Sequence, residues 1–267
     1  MSVPRRRLDL LLVERGLATS REEAQRLLLA GKVRVAGQRA EKPGSLVPAE
    51  APVEVTGPAH PFVSRGGVKL ARALQVFDVD PSARVCLDVG ASTGGFTDCL
   101  LQAGAKEVIA VDVGYGQLHA RLRGDPRVHV LERTNIRHVE APQLPVVPDL
   151  ATVDVSFISL KLVLPVLVRL LRPPWDIIAL VKPQFEVGKG QVGKRGVVRD
   201  PAQHRAVLEE IAAHALGLGC VVAGMEASPI LGPMGNREFL LHVRSEGVAG
   251  AVADLVSQAL AEPAEGS

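Results

Sequence analysis

From about residue 63 onward, short apolar runs alternate with helical patterns, and this alternation narrows the possible folds most. The predicted strands are Val85–Val89, Val108–Asp112, Val128–Leu131, Leu150–Asp154, Ile177–Val181, Val221–Met225 and Phe239–Val243. Helical patterns separate most of them, as at Thr97–Ala103, Leu160–Leu171 and Pro201–Leu216. Asp200 before Pro201 makes a good N-cap and first-turn pair. Such alternation predicts an α/β fold, a mainly parallel sheet with helices on both faces.

Residues 5–56 follow another pattern. Leu8, Leu11 and Leu12 recur at helical spacing, and the helix ends near Gly16. Ser20 with Glu23 reads as a capping box for a second helix, with Ala24, Leu27 and Leu28 on its apolar side and Gly31 at its end. "KVRVAGQRA" predicts a strand, a turn at Ala36–Gly37 and a return, and "PVEV" another strand. Two prolines and a glycine make Thr56–Val63 a linker. The expected division is a small α+β domain at 1–58, a linker at 59–64 and the α/β domain at 65–267.

The chain has 267 residues, 47% of them apolar, enough for a sizeable core. Its apolar stretches are interrupted, as by Pro165 and Arg169 in "LVLPVLVRLL", so no membrane helix is expected. The basic N-terminus lacks the apolar run of a secretory signal. Cys86, Cys99 and Cys220 are scattered, which argues against a disulfide framework or a metal site. A cytoplasmic location is expected. Residues 1–65 carry eleven Lys/Arg and seven Asp/Glu (+4), against twenty and twenty-two (−2) in the remainder. A basic head suggests an anionic partner, although a solvated basic tail explains the charge equally well.

"VCLDVGASTGGFTDCLL" reads as strand, loop and helix. Gly90, Gly94 and Gly95 permit a sharp turn and close approach of a ligand to the backbone. Asp112 ends the next strand, where a carboxylate can accept both hydroxyls of a ribose. A dinucleotide site favours G-x-G-x-x-G. Here Ser92 takes the second glycine position, and Asp88 would repel a pyrophosphate. The cationic, amino-bearing tail of S-adenosylmethionine suits Asp88 better, and Asn135 can read an adenine edge. Tight helix–strand packing by glycines and helix capping by the acids is the plainer alternative.

Ligands of such sheets bind beyond the carboxyl ends of the strands. Asp154 and Lys182 close two strands there. Glu238 begins the last strand, and reaches the same edge if that strand is antiparallel. Lys69 stands early in a helix expected to start near Ser64, at the positive end of the helix dipole, where a nearby carboxylate should compensate it. Each residue alone is explicable as exposed charge; four converging charges are harder to dismiss.

The motifs resemble known families. Arg7–Gln38 resembles the S4 RNA-binding domain. "VSRGGVKL", "DVGASTGGFT", "VDVGYGQL", "ERTN", "DVSFISL", "LVKPQFEVGKGQVG" and "GNREFLL" together resemble the TlyA-type ribosomal RNA 2′-O-methyltransferases. That family is also labelled hemolysin A-like and is related to the FtsJ-like methyltransferases. The resemblance covers roughly residues 5–245. It implies a Rossmann-like, seven-stranded methyltransferase sheet beside the small S4-like domain. It also implies S-adenosylmethionine as cofactor, ribosomal RNA in ribosomal subunits as partner, and a Lys-Asp-Lys-Glu tetrad mapping onto Lys69, Asp154, Lys182 and Glu238. The target expected from it is cytidine in 16S or 23S rRNA.

A ribose 2′-hydroxyl is a weak acid, so its site must take up the proton and stabilise charge on oxygen. Lys182 is expected as base or oxyanion contact, oriented by Asp154, with Lys69 and Glu238 positioning the hydroxyl. The cofactor residues expected are Asp88, Gly90, Ser92, Gly94, Gly95, Asp112 and Asn135. For RNA, the expected contacts are Arg5, Arg7, Arg21, Lys32 and Arg34 in the first domain and Lys189 and Arg195 in a glycine-rich loop, acting mainly on phosphates. No metal is expected. The rival functions are a non-catalytic RNA-binding or ribosome-assembly protein, a hemolysin, and a nucleotide-dependent oxidoreductase, the last disfavoured by Ser92 and Asp88.

Overall fold

The apolar runs of the second half pair into one seven-stranded sheet, and most of its strands feed two cores on its opposite faces. The structure is a computed structural model. It describes residues 4–18, 21–56, 60–188, 192–193, 196–232 and 234–261, with Glu23 placed by its backbone only. The chain divides into two compact units, Met1–Pro61 and Phe62–Ser267.

In the first unit the elements are β1 (Arg5–Arg7), α1 (Leu8–Glu14), α2 (Arg21–Leu29), β2 (Val33–Val35), β3 (Gln38–Ala40), β4 (Leu46–Pro48) and β5 (Val53–Val55). β2 pairs antiparallel with both β3 and β5. The apolar faces of the helices place Leu8, Leu12, Ala24 and Leu28 against Val33 in a small core. Ala36 and Gly37 both take positive φ at the β2–β3 turn, as a tight hairpin requires. One pairing was not foreseen. Arg5–Arg7 forms a strand against β4, although an Arg-Arg-Arg run carries no strand pattern. Ser20 and the side chain of Glu23, the expected capping box, lie outside the described residues.

The second unit holds α3 (Gly66–Val76), β6 (Val85–Val89), α4 (Gly95–Gln102), β7 (Glu107–Val111), α5 (Ala120–Arg123), β8 (Val128–Leu131), β9 (Leu150–Val153), α6 (Leu160–Leu170), β10 (Asp176–Val181), α7 (Pro183–Glu186), α8 (Pro201–Gly217), β11 (Val221–Ala227), β12 (Phe239–Arg244) and α9 (Val252–Ala261). The strand order is β11-β12-β10-β9-β6-β7-β8. All neighbours are parallel except β12, which runs antiparallel to β10 and β11. Leu87, Val89, Ile109, Ala151, Ile177 and Val243 pack under α6, α8 and α9. Cys86, Val108, Leu150, Ile178 and Leu240 pack under α3 and α4. Each such buried aliphatic side chain contributes about 1.5–3 kcal/mol. The three cysteines are free and buried.

Two consequences position the site. The chain's crossovers reverse direction between β6 and β9, so the loops after these neighbouring strands open a crevice at the sheet's carboxyl edge. Val181 lies opposite Phe239 in the antiparallel β10–β12 pair. Lys182 and Glu238, the next residues outward, therefore emerge on that same edge.

Candidate active site

The loop after β6 begins with Gly90 at φ +84°. A Cβ there would stand 2.5 Å from the backbone oxygen of Asp154, so only glycine lets the β6 and β9 loops lie this close. Ser92 also takes positive φ, and its N–H donates to Asp112 Oδ2 at 2.8 Å. Gly114 N–H donates to Asp112 Oδ1 at 2.7 Å. These two bonds fix the carboxylate at the end of β7 and leave further acceptor capacity on each oxygen. Asn135 accepts from Arg137 N–H at 3.1 Å. Gly90, Ser92, Asp112, Gln117, Asn135 and Asp154 line a cleft of about 690 Å³.

A second cleft of about 220 Å³ shares Gly90, Ser92, Asp154 and Ser156 with the first. Lys69, Asp154, Lys182 and Glu238 all line it, with Gly95. The four charges expected to converge are thus brought together, as two pairs. Lys69 Nζ donates to Glu238 Oε2 at 2.5 Å, and both groups are almost wholly buried. This is the carboxylate that an early-turn lysine of α3 requires. Lys182 Nζ lies 2.6 Å from Asp154 Oδ1, an ion pair whose angle does not make a hydrogen bond, so that Oδ1 has no hydrogen-bond partner. Nζ instead donates to Ser156 Oγ at 3.1 Å. Lys182 caps α7, whose first residue is Pro183, so β10 cannot continue and the ammonium group stays at its tip.

Two expected cofactor residues line neither cleft. Asp88 is fully buried in β6. It accepts from Thr97 Oγ1 at 2.6 Å and Thr152 Oγ1 at 3.2 Å, which ties β6 to α4 and β9 beneath the loop. In this structure its carboxylate faces the interior and neither cleft. Gly94 is buried at φ +98°, where a Cβ would collide with Leu122 and Leu118; it serves packing of the turn into α4. Burial pushes the Asp88 carboxyl up to about 7, against the two threonine hydrogen bonds. A carboxyl raised on folding favours the folded state least when ionised, so its cost appears as pH rises from about 4 and is complete above about 7. Asp88→Asn removes that cost, because the amide can still accept from Thr97 and donate to Thr152. Thermal unfolding should show the variant more stable than the wild type by roughly 2–4 kcal/mol at pH 8 and equal at pH 4.

In the first unit, the guanidinium groups of Arg7 and Arg21 both bond to Asp9, at 2.9 and 3.0 Å. Asp9 is fully buried, and these bonds, that of Arg7 foremost, hold its carboxyl well below the usual carboxylate range. The two arginines expected on RNA therefore also staple the unit together, with about half of each side chain exposed. Arg5 is exposed, and Arg34 donates to Gly37 O at 3.0 Å. Lys32 is half-buried. Lys189 and Arg195 lie outside the described residues.

Sequence reasoning missed Ser156, although it sits two residues past Asp154 in the quoted "DVSF". It also missed Thr97 and Thr152, which carry no signal before the strands are paired.

The FtsJ-like methyltransferase family matches residues 62–245 and the S4 domain residues 6–53. A 16S/23S rRNA (cytidine-2′-O)-methyltransferase, TlyA of Mycobacterium tuberculosis, is 50% identical over 91% of this chain and 91% of its own length. The chain belongs to the TlyA-type FtsJ-like methyltransferases. A second member, Hemolysin A of Brachyspira hyodysenteriae, is 37% identical over 88% of this chain and 98% of its own. A solved structure with a hemolysin label, from Streptococcus thermophilus, shares 42% identity and a TM-score of 0.74, covering 97% of this chain and 96% of that one. The TlyA-type members thus carry both methyltransferase and hemolysin names. Among the described residues, no helix is long and apolar enough to cross a membrane, and no His, Cys, Asp and Glu group could hold a metal.

Proposed function

We propose that the protein transfers a methyl group from S-adenosylmethionine to a ribose 2′-hydroxyl of ribosomal RNA, on cytidine in one or both ribosomal subunits. The observation that carries this reading is the pair of lysine–carboxylate contacts, Lys69–Glu238 and Lys182–Asp154, on one small cleft adjoining the glycine-loop cleft.

The larger cleft fits the cofactor. Asp112 has acceptor capacity for ribose hydroxyls, Asn135 lines the same cleft and could read an adenine edge, and the backbone of Gly90 permits close approach. Bound there, S-adenosylmethionine supplies an electrophilic methyl group. The chain's own work is at the hydroxyl. Lys182, held by Asp154 and Ser156, accepts the proton or stabilises the developing oxyanion. Lys69, fastened by Glu238, is the second cation of the cleft and orients the hydroxyl for attack in line with the leaving sulfur. Two carboxylates balance two ammonium groups.

The S4 unit supplies affinity through Arg5, Arg7, Arg21, Lys32 and Arg34, on phosphates and without base reading. Lys189 and Arg195, which lie outside the described residues, add two further cations for phosphates. A protein acting on ribosomal subunits works in the cytoplasm. To test the reading, small and large ribosomal subunits lacking the modification are incubated with the protein and radiolabelled S-adenosylmethionine. Label should appear in the rRNA of at least one subunit. Subunit binding with no incorporation would favour the ribosome-assembly role instead.

A further inference from the structure

Asn236 is one of only two asparagines in the chain, and it lines neither cleft. Its side chain is buried, with 3% exposed. Val198 N–H donates to its Oδ1 at 3.0 Å, and its Nδ2 donates to Gly196 O at 2.9 Å. Its own carbonyl accepts from Gly232 N–H at 2.8 Å. One residue thus ties Gly232 to Gly196 and Val198.

Gly232 also forms a wall of the Glu238 site. A Cβ on Gly232 would stand 2.4 Å from Glu238 Oε1, so the backbone of Gly232 lies directly against the carboxylate whose other oxygen holds Lys69. Oε1 is buried and has no hydrogen-bond partner. It is therefore placed by packing, and the packing depends on Gly232. The neighbouring contacts brace the same point. His204 Nε2 lies 3.0 Å from Val198 O, and the His204 ring meets Phe239, the residue after Glu238, edge-on at 5.5 Å. Arg237 Nη2 donates to the carbonyl oxygens of Ala259 and Leu260 at 2.9 and 3.1 Å. Asn236, Arg237 and Glu238 reach in turn to the 196–198 backbone, the end of α9 and Lys69.

We propose that Asn236 is a positioning residue of methyl transfer. It sets the Glu238 carboxylate, and through it Lys69, by locking Gly232 to Gly196 and Val198. The inference rests on the tetrad reading of Glu238.

The test is a double-mutant cycle in single-turnover methylation of ribosomal subunits, with rates normalised to the fraction of protein that binds S-adenosylmethionine by calorimetry. Glu238→Gln alone reports on the tetrad. Asn236→Ala is expected to slow the step about 10- to 100-fold, the scale of a misplaced reacting group. Cofactor affinity and subunit KM should stay within about twofold. In the Glu238→Gln background, Asn236→Ala should add little further loss, since its effect passes through that carboxylate. Asn236→Asp keeps the acceptor for Val198 N–H and should lose less; it carries the test if the alanine variant does not fold. Multiplicative losses, or a wild-type rate in folded Asn236→Ala, would overturn the proposal while an impaired Glu238→Gln left the tetrad standing. An unimpaired Glu238→Gln would remove both.

Discussion

Lys182→Ala abolishes methyl transfer, with a fall in kcat of at least about 10³-fold, and leaves S-adenosylmethionine affinity within about threefold. The size follows from what the side chain supplies. General-base catalysis contributes roughly 10²–10⁴-fold, and an oxyanion donor in a desolvated site about 10²–10³-fold. Cofactor affinity survives because Lys182 lines only the smaller cleft, whereas Gly90, Ser92, Asp112 and Asn135 line the larger one. Lys182→Arg should rescue little. A guanidinium keeps the charge but does not accept a proton near neutral pH. Single-turnover methylation and calorimetric titration of the cofactor measure the two quantities separately. A Lys182→Ala enzyme with a comparable rate would remove Lys182 from the chemistry.

The second large effect falls on stability. Lys69→Met leaves the Glu238 carboxylate buried without its cation, and should cost about 3–5 kcal/mol of folding free energy. The cause is the residual unpaired charge rather than the lost attraction. Lys69→Met with Glu238→Gln should therefore recover most of the stability, since a neutral amide needs no ion partner. It should not recover activity, because both charges of that pair are gone. Denaturant unfolding of the single and double variants reads the first expectation, and methylation the second. A single variant as stable as the wild type would contradict a buried carboxylate that depends on Lys69.

The sheet was legible in the sequence because most of its strands are short, mainly apolar runs set apart by helical patterns. The strands Val85–Val89 and Val128–Leu131 have the expected ends, and most others differ by one or two residues. The convergence of Lys69, Asp154, Lys182 and Glu238 was also legible. Strand-end position fixes an edge of the sheet for Asp154 and Lys182, while the antiparallel sense of β12, which brings Glu238 there, and the placement of Lys69 on α3 come from the structure. What escaped depends on contacts between distant residues. Whether Asp88 faces a ligand or the interior is decided by Thr97 and Thr152 closing over it. Whether Gly94 serves a ligand or packing is decided by Leu118 and Leu122. Arg7 and Arg21 read as free surface cations until Asp9 is found buried between them. The strand at Arg5–Arg7 takes its conformation from its partner β4, not from its own residues.

The central claim is that the two lysine–carboxylate pairs direct methyl transfer to a sugar oxygen rather than to a base. Nuclease digestion and mass spectrometry of rRNA methylated in vitro by the wild-type protein test it most directly. The expected product is 2′-O-methylcytidine, with the added methyl retained on the ribose fragment. A methyl group on the base fragment, or none in rRNA from either subunit while the cofactor binds, would contradict it.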